Sequence, residues 1–169
     1  LSQAPCELPD VSDGDFFSLM FTSGTTGEPK GVLATHLARM LWVLNATIQY
    51  GLREDDVYLA AMPQVHSAGL TFTLMHLYCG ATVRILPHFD PEEFVRTARE
   101  EGITSALTVP TMLTMIVEAL DRTGSQGAFT SLRRLVTCGS PLPLATKRRV
   151  LEQVTSELFD YYGSTESNS

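Results

Sequence analysis

The sequence predicts an α/β fold, a mostly parallel sheet with helices on both faces, and three observations carry that expectation. Short apolar runs alternate with segments of helical period along the whole chain. That alternation is the pattern of repeated strand–helix–strand crossovers. Three polar, glycine-bearing turns, residues 22–31, 138–141 and 162–166, follow such runs, where sheets of this kind hold ligands. With 169 residues, 44% of them apolar, twelve Gly and nine Pro, the chain fits one globular domain.

Residues 16–22, "FFSLMFT", read as the first strand, followed by a glycine loop and a helix over 36–51. In that helix Leu37, Leu41, Leu44 and Ile48 recur at helical spacing and mark its apolar face, and Gly51 ends it. "DVYLAAMP" (56–63) reads as strand, "SAGLTFTLMHLYCG" (67–80) as a buried helix closed by Gly80, and "ATVRILP" (81–87) as strand. The helix over 90–102 has the clearest start: Asp90 as N-cap, Pro91 at the first helical position and Glu93 where a capping box wants a carboxylate. There follow strand 105–110, helix 111–124, strand 132–140, helix 143–154 and strand 156–164, for six strands and five helices. Residues 121–131 are the most linker-like stretch and read as a surface loop.

A formal charge of −7 without a basic patch disfavours nucleic-acid binding. Cys6, Cys79 and Cys138 are odd in number and lack a C-x-x-C pair, against a disulfide framework or a structural zinc site. The longest apolar stretch is short for a membrane span and no signal core opens the chain, so a soluble, cytoplasmic protein is expected. The chain opens on Leu1 and stops at "STESNS", and it reads as a piece of a longer polypeptide.

In "FTSGTTGEPKGV" (21–32), glycines 24, 27 and 31 let backbone N–H groups turn into one concavity, an anion nest. Thr22, Ser23, Thr25 and Thr26 add hydroxyl donors and Lys30 a full charge, which together is phosphate-binding chemistry. The Walker pattern fails, because Pro29 precedes and Gly31 follows the lysine, and so does G-x-G-x-x-G.

This loop resembles the phosphate loop of the adenylate-forming superfamily: acyl-CoA synthetases, aryl-CoA ligases, beetle luciferases and the adenylation domains of peptide synthetases. "YGSTE" (162–166) is similar to a second family motif, "MPQVHSAGL" (62–70) to the segment gating the acyl pocket, and "TCGSPLP" (137–143) to the turn along adenine. The four occur in the family's order and span essentially the whole chain. The resemblance implies that the chain is a central segment of the family's large N-terminal domain, without its upstream part and C-terminal lid domain.

By the resemblance, Thr22, Ser23, Gly24, Thr25, Thr26, Gly27 and Lys30 hold the β- and γ-phosphates of ATP. Gly139, Ser140 and Pro141 lie along adenine with Asp160 and Tyr161 near its edge, and Tyr162 stacks on the base. Gly163 and Ser164 complete the motif, Thr165 reaches the α-phosphate, and Glu166 helps hold Mg²⁺. His66 flanks the acyl pocket and orients the substrate carboxylate. The implied reaction forms an acyl-adenylate and then transfers the acyl group to coenzyme A or a carrier-protein thiol, with Thr22, Lys30, His66, Thr165 and Glu166 as the catalytic set. The segment around His66 lacks the aspartate that pairs with an amino-acid substrate, so a fatty or aromatic acid is expected. The chain alone is expected to be inactive. A non-catalytic nucleotide-binding fragment and an amino-acid adenylation domain stay open as alternatives.

Other residues read as structural. His36, His76 and His88 are packing or surface groups, and Cys138 is a small buried hydrophobe. Met40, Met62, Met75, Met112 and Met115 line the core or a pocket. Arg133, Arg134, Lys147, Arg148 and Arg149 form solvated faces. Tyr161 and Tyr162 have a second reading as aromatics ending a buried strand.

Overall fold

The computed structural model describes residues 9–22 and 27–167, so Ser23, Gly24, Thr25 and Thr26 of the glycine loop lie outside the described residues. A hairpin of β1 (Phe16–Thr22) and β2 (Lys30–Thr35) comes first, and α1 (His36–Gln49) follows it directly. Then come β3 (Val57–Ala60), α2 (Ser67–Tyr78), β4 (Thr82–Ile85), α3 (Pro91–Glu100) and β5 (Ser105–Thr108). The chain continues through α4 (Pro110–Thr123), β6 (Arg134–Cys138), α5 (Leu144–Gln153) and β7 (Leu158–Tyr161). Strands β3 to β7 form one sheet in the order β4-β3-β5-β6-β7, every pair parallel.

The central strands β3, β5 and β6 alternate between two buried faces, and the edge strands β4 and β7 are more exposed. Leu59, Ala106 and Leu135 pack with α3, α4 and α5, whereas Tyr58, Leu107 and Val136 pack with α1 and α2. Helices therefore cover both faces, as the alternation of apolar runs predicts. Asp90 caps α3, accepting from Glu93 N–H at 2.8 Å, and Gly124 ends α4 with φ +63°.

Several expectations need correction. The run Lys30–Thr35, assigned to no element in the sequence, pairs antiparallel with β1 in a separate two-stranded sheet, Thr22 opposite Lys30. Thr22 and Lys30 thus belong to a hairpin and not to the parallel sheet. On α1 the buried stripe is Arg39, Val43 and Ala46, while Leu37, Leu41 and Ile48 are exposed. Small Val43 and Ala46 let α1 approach α2, and Arg39 donates to Thr71 Oγ1 on α2 at 2.6 Å. Residues 121–131 are not all surface, because Ala128 and Phe129 are buried and the Phe129 ring lies 6.2 Å from Phe94.

Arg134 is not on a solvated face either. It is buried against the fully buried Asp56, with Nη1 to the carboxylate oxygens at 2.9 and 3.0 Å, and it donates to the Tyr50 and Gly51 carbonyls that end α1. Asp56 also accepts from Thr104 Oγ1, Arg53 N–H and Arg133. The cluster ties α1 to β3, β5 and β6 at the amino end of the sheet. Arg149 is half-buried and pairs with Asp121. Buried His76 stacks on Tyr58 at 4.1 Å, donating from Nδ1 to Phe72 O while Nε2 meets Ser105 Oγ. Met75 and Met112 are core residues and Met40 lines a cavity with Phe17, Val43 and Leu74, whereas Met115 is exposed.

Candidate functional site

After β3 the chain runs outward to β4 and then returns to the other side of β3 to make β5. Helix α2, leaving β3, covers one face and α4, leaving β5, the other. The turns after β3 and β5 therefore diverge and leave a crevice at the carboxyl edge of the sheet, the switch point where open α/β sheets bind ligands. Two clefts run along this edge.

The first, about 320 Å³, is lined by Gly139, Ser140 and Pro141 after β6 and by Asp160, Tyr161, Tyr162 and Gly163 at the end of β7. The parallel register that sets Cys138 beside Tyr161 brings these two turns together. Gly139 has φ +90°, which a side chain would strain, and this lets the chain turn sharply out of β6. Tyr161 faces inward, its ring 6.4 Å from Phe72, whereas Tyr162 is 96% exposed. The reading as aromatics ending a buried strand holds for Tyr161 and fails for Tyr162, whose ring is free to lie against a planar ligand.

The second cleft, about 300 Å³, shares Gly139, Tyr161 and Gly163 with the first and adds His66, Val109, Cys138, Ser164 and Thr165. His66 stands at the N-cap position of α2 without making a side-chain cap, and its ring is exposed. Its N–H bonds back to Pro63 O at 3.2 Å, closing the turn that presents it. Thr165 opens a short 3₁₀ turn, Thr165–Ser167, pinned by Ser167 N–H to Ser164 O at 3.1 Å. Cys138 is buried, and burial, with Asp160 adding to it, pushes its thiol pKa up, which disfavours a nucleophilic thiolate. Met62, His66 and Val109 also border a third, more apolar chamber of about 430 Å³ that reaches Leu86, Phe89 and Met112. Neither the second cleft nor this chamber is lined by Asp or Glu.

Thr22, Gly27 and Lys30 lie on the hairpin and line none of these three spaces; Thr22 is half-buried and Lys30 exposed. Glu166 is exposed beside Thr165. Among the described residues no group of three His, Cys, Asp or Glu converges to hold a metal ion. Mg²⁺ bound chiefly through phosphate oxygens needs only one or two protein carboxylates, and Glu166 fits that requirement. Sequence reasoning missed Val109. Its signal was position alone, directly after a buried strand and before Pro110.

Among the described residues no helix is long and apolar enough to cross a membrane. Residues 2–169 match the model of the AMP-binding enzyme family. The 2-succinylbenzoate–CoA ligase of Bacillus licheniformis is 35% identical over 96% of this chain and 33% of its own length. Among solved structures, the Bacillus subtilis o-succinylbenzoate coenzyme A synthetase MenE, in complex with ATP and magnesium ion, aligns with TM-score 0.83 at 28% identity. That alignment covers 94% of this chain and 32% of that one, and the same enzyme is also known with its acyl-adenylate intermediate. ATP-bound MatB from Rhodopseudomonas palustris gives TM-score 0.83 at 26% identity over 95% of this chain and 31% of its own. The chain spans about a third of the length of these relatives.

Proposed function

The chain belongs to the AMP-binding enzyme family, and from that premise we propose that it forms the nucleotide- and acid-binding core of an ATP-dependent acid–thiol ligase. The observation that carries the reading is the pair of adjoining clefts along the carboxyl edge of the sheet, the second of which reaches the switch point between β3 and β5. One is walled by Gly139, Ser140, Pro141 and the Tyr162 ring, and the other holds His66 opposite Thr165.

ATP would lie with adenine in the first cleft, against Tyr162, and its α-phosphate at Thr165 where the clefts meet. The acid would enter the second cleft, with His66 orienting its carboxylate. A carboxylate oxygen forms a bond to the α-phosphorus as the bond to the pyrophosphate oxygen breaks, leaving acyl-adenylate. A thiol, that of coenzyme A, then bonds to the acyl carbon and AMP departs. The chain contributes positioning and charge: Thr22, Ser23, Gly24, Thr25, Thr26, Gly27 and Lys30 would neutralise charge gathering on pyrophosphate. When bound at Glu166, Mg²⁺ would supply further neutralisation of the phosphates.

The missing Asp and Glu in the second cleft favour an acid without an α-ammonium group over an amino acid. The curated relatives are 2-succinylbenzoate–CoA ligases, which favours an aromatic acid over a fatty one. Thr22, Gly27 and Lys30 line none of the clefts and the chain spans about a third of its relatives' length, so we expect turnover to need the parent protein and the isolated chain to be inactive. The test is acid-dependent exchange of labelled pyrophosphate into ATP, with aromatic, fatty and amino acids, on the chain and on its full-length parent. Exchange by the parent alone, with aromatic acids, is expected. A parent that binds ATP but exchanges with no acid would leave a nucleotide-binding module instead.

A further inference from the structure

The reaction read above depends on where the Met62–His66 turn holds its imidazole, and one buried residue of α2 bears on that directly. Gly69 stands in the first turn of α2 with ordinary helical φ, so its lack of a side chain is not a matter of backbone freedom. It is a matter of space. A Cβ on Gly69 would overlap the carbonyl oxygen of Pro63, lie 3.0 Å from its carbonyl carbon and 3.4 Å from Met62 O. All three obstacles are backbone, which cannot swing aside as a side-chain end can.

The same carbonyl is the closure of the turn. Pro63 O accepts from His66 N–H at 3.2 Å, and His66 O in turn accepts from Leu70 N–H at 3.0 Å, so the turn and the first turn of α2 are hydrogen-bonded as one unit. Gln64 Nε2 also donates to Met62 O at 3.0 Å. We propose that Gly69 is a positioning residue for the acid: by letting α2 lie directly on the Met62–Pro63 backbone, it sets His66 at the mouth of the second cleft. The inference rests on the function proposed above and extends it to a residue that touches neither substrate.

A side chain at position 69 must move the turn away from α2, and His66 with it, while Gly139 after β6 and Thr165 after β7 belong to other segments and stay in place. Displacing an orienting group by about 1 Å costs on the order of a hundredfold in rate. In the full-length parent, Gly69→Ala is expected to lower kcat/KM for the acid in pyrophosphate exchange by between about ten- and a hundredfold. KM for ATP should stay within about twofold, and combination with His66→Ala should add little, because both act through one imidazole.

Because Gly69→Ala also loads the core, a second variant perturbs the turn from its exposed side. Pro63→Gly loosens it without adding an atom, and the same acid-specific, non-additive loss is expected. The inference is overturned if Gly69→Ala leaves acid kcat/KM unchanged, if its loss multiplies with that of His66→Ala, or if KM for ATP rises in parallel. Should Gly69→Ala fail to fold, Pro63→Gly decides by the same three criteria. Exchange by the unmodified parent is measured first, so absence of any acid-dependent exchange there strikes the proposed function rather than Gly69.

Discussion

Replacing Asp56 by Ala removes the centre of the polar cluster at the amino end of the sheet. The carboxylate is fully buried and accepts from Thr104 Oγ1 at 2.7 Å, Arg53 N–H at 2.8 Å, Arg133 at 2.8 Å and Arg134 at 2.9 Å. Its loss leaves the buried Arg134 guanidinium without its counter-charge, a change that costs about 3–5 kcal/mol. For a chain of this length each kcal/mol moves Tm by roughly 2–4 °C, so a fall of about 6–20 °C is expected. Arg133→Ala is the control. Its guanidinium is 35% exposed, and losing such a partner costs at most about 1 kcal/mol, or roughly 4 °C. The assay is thermal unfolding of both variants and the unmodified chain at pH 7, followed by circular dichroism. Burial pushes the Asp56 carboxyl pKa up, but the bonds from Thr104 and Arg53 and the charge of Arg134 outweigh it and hold it below the ordinary range. The stabilisation is therefore complete above the unfolded pKa of about 3.9 and is lost as pH falls through the folded value, so the gap between variant and parent must narrow in acid. An Asp56→Ala loss no larger than that of Arg133→Ala, or a gap that widens in acid, would refute the reasoning.

His76 gives a second pH dependence. Burial lowers its pKa to about 4, so between the unfolded value of about 6.5 and that value the unfolded state binds a proton that the folded state does not. Urea unfolding should show stability falling by about 2 kcal/mol from pH 7 to pH 5 on this account, with a flatter profile in His76→Gln. Tyr162→Ala, at a nearly bare side chain, should change stability by less than about 0.5 kcal/mol. In the parent it should still weaken ATP binding by about 1–3 kcal/mol, as loss of aromatic stacking on a base does; unchanged affinity by calorimetry would remove Tyr162 from the nucleotide site. Glu166→Gln in the parent should raise the Mg²⁺ concentration needed for half-maximal exchange, and an unaltered Mg²⁺ titration would count against its role as ligand.

The sequence by itself determined the parallel sheet, its four crossover helices and the two turns that wall the first cleft. These follow from local rules: apolar runs of strand length, Asp90–Pro91 opening α3, and glycines at 80, 102 and 124 closing helices. The family motifs also named His66 and Thr165, which the sheet then sets in one cleft. Only the tertiary structure decided which faces those elements present. The leucine stripe of α1 had helical period, yet the helix buries Arg39, Val43 and Ala46, because period fixes that a face exists and the neighbouring helix fixes which one. Arg134 reads as a surface cation until Asp56, 78 positions away, meets it. Lys30–Thr35 became a strand only by pairing with β1, and Val109 and Gly69 acquired their places from backbone brought near by the fold. Pairing, charge compensation and close approach are properties of two segments at once, and no single stretch of sequence contains both.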